Sequence, residues 1–311
     1  VYLHEDIGAL QRLNLATADY VGIRQEYVYK DYFVCMALKE IIAVDPQLVF
    51  KGGTALSKCY DVIDRFSEDV DLGMDVAHPT EGMRKKTKVA VKTAAEVLGL
   101  SIINLEETRS RRLFNQYRLP LPQLIEGIAP DQLIIETALM SPTSPSSTGV
   151  IISFIGEYLL SESRQDLVEQ YGLEGFSLNV ISLKRTFVDK IFAISDYYLN
   201  GEIPYRQSRH VYDLYQLEQA LALDATMGKL IEQVRSERAG RYRCASAAPD
   251  ISLEKVLREI YDKQTYRQDY ETVTLPLLNT EVDYETIAST ILKIAAFVAA
   301  DKSELPTMLV E

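Results

Sequence analysis

Asp69 and Asp71 stand two residues apart, flanked by Val70 and Leu72. On a strand, residues i and i+2 share a face, so this spacing predicts two carboxylates side by side with the apolar pair turned to a core. Two like charges held so close repel each other. A divalent cation relieves the repulsion, and hard oxygen ligands suit Mg²⁺ or Mn²⁺. A third acid on a neighbouring strand would complete a two-metal arrangement. Glu136, flanked by Leu133, Ile134, Ile135 and Ala138, is the candidate, with Asp131 in reserve. Upstream, Gly52-Gly53 follow the apolar run Leu48-Val49-Phe50 and precede Thr54. Glycines supply the backbone freedom for a sharp turn, and amides at a turn into a helix N-terminus can cradle phosphate. Each part alone has an ordinary explanation: an Asp-x-Asp pair is commonly solvated surface, and Gly-Gly is commonly just a turn. The two together, about 16 residues apart with a helix between them, are a more specific pattern and predict a magnesium–nucleotide site.

The elements that must position these groups follow from periodicity. Helices are expected over 5–20 and 24–44, the second stopped by Asp45-Pro46. A short buried strand covers Leu48–Lys51, a helix Thr54–Ile63, a strand Val70–Met74 and a long helix Thr80–Leu98. Strands are expected at Ser101–Glu106, Leu113–Leu119, Gln132–Leu139, Val150–Phe154 and Phe176–Ile181, with a helix near Ile155–Tyr171. Ser141–Ser147, rich in Pro and Ser, reads as a loop within the fold or a boundary. From Ser182 the pattern is helical, over Leu183–Leu199, Arg206–Ala222, 225–239, 252–264 and 283–301. The fold class is therefore α/β (α+β): a mixed β-sheet flanked by helices over residues 1–181, then a mostly helical region over 182–311.

At 311 residues the chain can bury a sizeable core. Its net charge of −12 argues against a broad, unspecific nucleic-acid binder. The three cysteines, Cys35, Cys59 and Cys244, have no metal-ligand spacing and fit reduced thiols in a cytoplasm. No apolar run is long enough for a bilayer span. The start, VYLHED, has no signal-peptide pattern and, lacking an initiator Met, reads as a trimmed or partial end.

KGGTALSK followed by RFSEDVDL resembles the AbiEii toxin family, which with the MenT toxins belongs to the DNA polymerase beta-like nucleotidyltransferases. Leu183–Lys190 (LKRTFVDK) resembles the family's third motif, a helix with a functional lysine. Ser208–Tyr215 (SRHVYDLY) resembles the fourth, with its Tyr-Asp-Leu core. The four segments occur in family order over residues 51–215, and Tyr29-Lys30-Asp31-Tyr32-Phe33 is also similar to the group. The resemblance implies a nucleotidyltransferase-type sheet in which Gly52, Gly53 and Thr54 bind nucleotide phosphates and Asp69 and Asp71 bind metal. Ser67, counted by the resemblance with the nucleotide-binding residues, occupies a serine position that can be a regulatory target in related toxins. Lys190 is expected on the nucleotide phosphates, with Asp213 as the aspartate of the fourth motif. Glu136 is placed as the third metal ligand by strand pattern alone.

Plainer readings stand beside these. Lys190 could be an exposed helix lysine, suited as a point charge to phosphate, and Asp213 a structural partner of Arg209 one turn before it. Two consecutive helices packed antiparallel would bring Lys190 and Asp213 together. His210 reads as surface or local hydrogen bonding, and Tyr212 and Leu214 as core. Lys85, Lys86, Lys88 and Lys92 read as a solvated face, as do Arg109, Arg111 and Arg112. Lys184, Arg185, Arg206 and Arg209, together with Arg235, Arg238, Arg241 and Arg243, are where backbone contacts to an RNA acceptor are sought.

The resemblance implies transfer from an NTP to an acceptor hydroxyl, most naturally a tRNA 3′ end, in a toxin with a cognate antitoxin and no membrane association. Protein or small-molecule acceptors, or a nucleotide-binding regulatory module without transfer, are the alternatives.

Overall fold

The computed structural model describes residues 1–128, 131–201, 203 and 205–303. They divide into two units, Val1–Tyr60 with Phe66–Ile181, and Asp61–Arg65 with the chain from Ser182 onward.

The first unit is built on a helix. Helix α1 (Ile7–Val21) is started by Asp6, whose carboxylate accepts the Ala9 N–H, and stopped by Gly22 at φ 76°. Helix α2 (Gln25–Val44) buries Val28, Tyr29, Tyr32, Phe33, Cys35, Leu38 and Ile41, so it is apolar almost all round and runs through the core. Each of the Val, Phe, Leu and Ile side chains contributes about 1.5–3 kcal/mol on leaving water. Strand β1 (Leu48–Lys51) leads into helix α3 (Gly52–Lys58), then strand β2 (Val70–Met74) and helix α4 (Glu81–Val97). Strands β3 (Phe114–Pro120), β4 (Gln132–Ala138) and β5 (Ser146–Ile151) precede helices α5 (Phe154–Ser161) and α6 (Gln165–Tyr171), and strand β6 (Phe176–Ile181) closes the unit.

Among the described residues the strands form one mixed sheet in the order β3-β4-β2-β1-β6-β5. Strand β1 runs antiparallel to β2 and parallel to β6, while β2 runs parallel to β4. Leu133 and Ile135 of β4 and Val70 and Leu72 of β2 are fully buried, whereas Asp71 and Glu136, one residue out of phase, are half-buried. That alternation separates a core face from a polar face.

Several expectations shift: the helix expected over Thr54–Ile63 ends at Lys58, and the strand expected at Val150–Phe154 lies at Ser146–Ile151, with Phe154 opening α5. Ser101–Glu106 forms no strand: Ile103 N–H reaches Arg118 O, but the Asn104 side chain takes the next ladder positions, accepting from Arg118 N–H at 2.9 Å and donating to Gln116 O at 2.9 Å. The helix expected over 155–171 breaks into α5 and α6 because Ser163 takes a left-handed backbone, φ 59°. The Pro/Ser-rich stretch is partly sheet, since Ser146 and Ser147 open β5; an edge strand tolerates this polar composition.

The second unit is helical: α7 (Leu183–Leu199), α8 (Arg209–Ala220), α9 (Ala225–Arg238), α10 (Leu253–Asp262), the single turn α11 (Arg267–Asp269) and α12 (Tyr284–Ser303). Ser182 caps α7 by accepting the Arg185 N–H, and Asp224 caps α9 by accepting from Thr226 and Met227. Helix α7 packs on α8, α9 and α10, and α12 on α8 and α10, around Phe187, Ile191, Leu214, Leu257 and Ile291. The end of the region expected over 182–311 lies outside the described residues. No helix among the described residues is long and apolar enough to cross a membrane, and all three cysteines are free thiols.

Candidate active site

In the first unit, strand register lines up a row of polar side chains. Lys51 of β1 lies opposite Asp71 of β2, Asp71 beside Glu136 of β4, and Glu136 opposite Gln116 of β3. Directly paired residues share a face, so the four form one row across the sheet. Gln116 Nε2 donates to Glu136 Oε1 at 2.8 Å and orients that carboxylate. Asp69 is half-buried and sits one residue before β2 begins. Asp131, the reserve acid, is exposed and lies 3.7 Å from Lys30, away from the Asp71 register.

The glycine turn meets this row. Gly52 adopts φ +79°, a conformation side chains rarely take, and a Cβ there would lie 1.9 Å from Asp71 Oδ2. Backbone conformation and close approach therefore both demand glycine. Gly53 continues into α3, and Thr54, fully buried, donates from Oγ1 to Ser67 Oγ at 3.1 Å. The structure thus brings Gly52 to Asp71, Thr54 to Ser67 and Asp71 to Glu136.

Among the described residues no group of three or more His, Cys, Asp or Glu side chains is assembled to hold a metal ion. Mg²⁺ usually keeps several waters and takes one or two protein carboxylates plus substrate phosphates. The donor chemistry of Asp71 and Glu136, hard oxygens aligned on adjacent strands beside a glycine turn, fits that mode of binding.

In the second unit, α7 and α8 bring Lys190 and Asp213 together: Lys190 Nζ donates to Asp213 Oδ2 at 2.8 Å. Arg65, from the Asp61–Arg65 segment, grips the same carboxylate in a fork, Nε to Oδ1 and a terminal nitrogen to Oδ2, both at 2.8 Å. Lys190, Asp213 and Arg65 are all buried. Burial pushes the Asp213 carboxyl up, but Arg65 and Lys190 together hold it well below the usual range. Burial lowers Lys190 against the opposing pull of Asp213. Lys190 Nζ also lies 3.2 Å from His210 Nδ1. Burial and then the Lys190 charge keep His210 well below the usual histidine range. A neutral His210 beside a donor-only ammonium accepts at Nδ1 and carries its proton on Nε2.

A family model described as the AbiEii nucleotidyl transferase toxin of type IV toxin–antitoxin systems matches residues 37–293. The chain belongs to the AbiEii family. As an AbiEii protein it is a nucleotidyltransferase. The match spans the glycine turn, the carboxylate row and the Lys190–Asp213 pair. In fold, it is similar to MenT4, a nucleotidyltransferase toxin of Mycobacterium tuberculosis, at a TM-score of 0.52 and 17% identity, covering 94% of this chain and 90% of that one. No curated protein matches the chain.

The AbiEii motifs mark residues that local reading left unassigned. Arg65 opens the second motif, but only the tertiary structure shows it as an Asp213 partner alongside Lys190. Arg209 donates from Nε to Arg206 O at 3.1 Å. Glu68, between Ser67 and Asp69, pairs with buried Lys30 at 3.0 Å. Several of the basic residues considered for RNA are committed inside the second unit: Arg185 to Glu237 at 2.7 Å, Arg238 to Asp196 at 2.6 Å, and Arg235 to the Ser246 carbonyl at 3.2 Å. Lys184 donates to Thr226 Oγ1 at 2.6 Å. Those bonds hold α9 and the following turn against α7.

Proposed function

We propose that this protein is a divalent-metal-dependent nucleotidyltransferase toxin that transfers a nucleotide from an NTP to an acceptor hydroxyl. The acceptor in this reading is the tRNA 3′ end, and the physiological partner is a cognate antitoxin. The observation that carries it is Asp71, flanked by the tight glycine turn at Gly52 and the aligned Glu136.

In this reading the backbone of Gly52, Gly53 and Thr54 binds the phosphates of the incoming nucleotide. Asp69 and Asp71 would hold the metal ion, with Glu136, oriented by Gln116, adding an oxygen beside Asp71. A bound divalent ion supplies charge neutralisation at the phosphates and a more acidic acceptor hydroxyl. The chain's own contribution is positioning and electrostatics, which is most of what phosphoryl-group chemistry requires. Ser67, bonded to Thr54, sits where added charge would disturb the glycine turn. The motif assigns Lys190 to nucleotide phosphate; its ammonium is already engaged by Asp213, so a phosphate must compete with that carboxylate.

The test is incubation of the protein with each of the four labelled NTPs, Mg²⁺ and either total tRNA, protein or small-molecule acceptors. Label on tRNA that is lost with Asp69→Ala supports the proposal. Label on protein or a small molecule replaces the acceptor, and NTP binding with no transfer to any acceptor replaces the enzyme with a binding module. Growth arrest on expression, abolished by Asp69→Ala, is the companion measurement.

A further inference from the structure

Helix α2 carries a stripe that the proposed chemistry does not use. Tyr27, Lys30 and Asp31 are spaced i, i+3 and i+4 and therefore lie on one face of the helix. All three reach the motif segments. The Tyr27 ring stacks on Phe66 with centroids 3.8 Å apart and planes 18° apart. Lys30 Nζ lies 3.0 Å from Glu68 Oε2, and Asp31 Oδ1 lies 2.8 Å from Lys58 Nζ. The other Asp31 oxygen accepts the Phe154 N–H at 2.7 Å, and Lys58 Nζ stands over the Phe154 ring, 4.0 Å from its centroid. Lys30 and Asp31 are each 5% exposed.

The places gripped matter. Lys58 is the last residue of α3, whose first residue, Gly52, is pressed against Asp71. Phe66 and Glu68 flank Ser67, and Glu68 directly precedes Asp69. One helix face therefore holds the glycine-turn helix from its far end and the carboxylate segment from its start. The polarities are opposite at adjacent positions: cation to Glu68, anion to Lys58. A buried ion pair is seldom more stabilising than well-packed apolar groups, and its best-attested use is to fix registry.

We propose that Tyr27, Lys30 and Asp31 form a positioning clamp that sets the glycine turn relative to Asp69 and Asp71. The proposal rests on the nucleotidyl-transfer reading for its catalytic consequence. The clamp itself is a statement about which segments α2 immobilises.

The experiment compares Lys30→Met, Glu68→Gln, Asp31→Asn and Lys58→Met with the doubles Lys30→Met/Glu68→Gln and Asp31→Asn/Lys58→Met. The conservative Lys30→Arg and Lys58→Arg serve where a single variant fails to fold. Values of kcat and of KM for NTP are taken per folded molecule, alongside amide exchange across 53–56 and 69–72. Each single variant is expected to lower kcat/KM by about tenfold or more, since small displacements of aligned groups are costly. Each double is expected to recover part of the loss because no buried charge is left unpaired, and the arginine variants more of it. Asp31→Asn should speed exchange across 53–56, and Glu68→Gln across 69–72, with α12 unchanged. Variants that lower Tm while kcat, KM and exchange at both segments match the parent would overturn the clamp. A parent protein that transfers no nucleotide would sink the enzymatic reading alone, because the exchange measurement decides the clamp without activity.

Discussion

Gly52 and Asp71 are in such close approach that a single added methyl group has no room: it would lie 1.9 Å from Asp71 Oδ2 and on a backbone at φ +79°. The turn and the carboxylate are thus one structural unit, joined at the residue where β1 becomes α3.

Gly52→Ala accordingly faces both a strained backbone and a displaced carboxylate. Strain of this kind costs about 1–3 kcal/mol. Denaturant titration should show that loss, and transfer activity should fall by about 100-fold, as expected when aligned groups shift. An alanine variant with parental activity would show that Asp71 does not need this geometry.

Asp71→Asn preserves shape and removes charge. It should abolish transfer while leaving the unfolding midpoint near the parent value. Glu136→Gln should give a smaller loss, because Glu136 is one oxygen source beside Asp71 and is oriented by Gln116. Chelation with EDTA should stop transfer and Mg²⁺ should restore it. Full activity in EDTA would remove the metal from the mechanism.

Asp213→Asn leaves Arg65 and Lys190 buried against a neutral amide. Breaking a buried pair from one side costs about 3–5 kcal/mol, measurable by thermal or urea unfolding. The pH dependence follows from the lowered carboxyl. The folded carboxyl titrates below the unfolded one, near 3.9, so the stabilisation is complete above that value. It is lost as pH falls from about 4 toward the lower folded value. The Asn variant should therefore show a flatter acid limb between about pH 4 and pH 2 than the parent. Parallel limbs would mean that Asp213 titrates normally.

His210 should stay neutral, with its proton on Nε2, across about pH 6–8, where an unperturbed histidine titrates. Burial and the Lys190 charge are the causes. Imidazole resonances of His210 should not move over that range. In Lys190→Met, loss of the neighbouring positive charge should raise its pKa. A titration midpoint near 6.5 in the parent would contradict the arrangement.

How much of this was legible in the chain divides along sequence distance. The alternation Val70-Asp71-Leu72, the glycines at the end of an apolar run and the helical period of 183–199 are local signals, each decided within a few residues by backbone geometry. They were enough to place Asp71 on a strand and Lys190 on a helix, while Gly52, expected in the turn before a helix, is the first residue of that helix. Ser101–Glu106 forms no strand because Asn104, bonding to the β3 edge through its side chain, fills the ladder positions that a strand's backbone would take.

By itself the sequence determined the types of group available and the elements that carry them: two carboxylates spaced by one residue, a turn that needs glycine, and lysine and aspartate on successive helices. Only the tertiary structure decided which of those groups meet. Arg65 reaches Asp213 across 148 positions, Glu136 falls beside Asp71 by the register of two non-consecutive strands, and Lys30 and Asp31 divide Glu68 and Lys58 between them. The reason is physical. Periodicity is a property of neighbouring residues on one backbone, whereas a buried charge must be matched by whichever opposite charge the packing of the whole core brings within hydrogen-bond range.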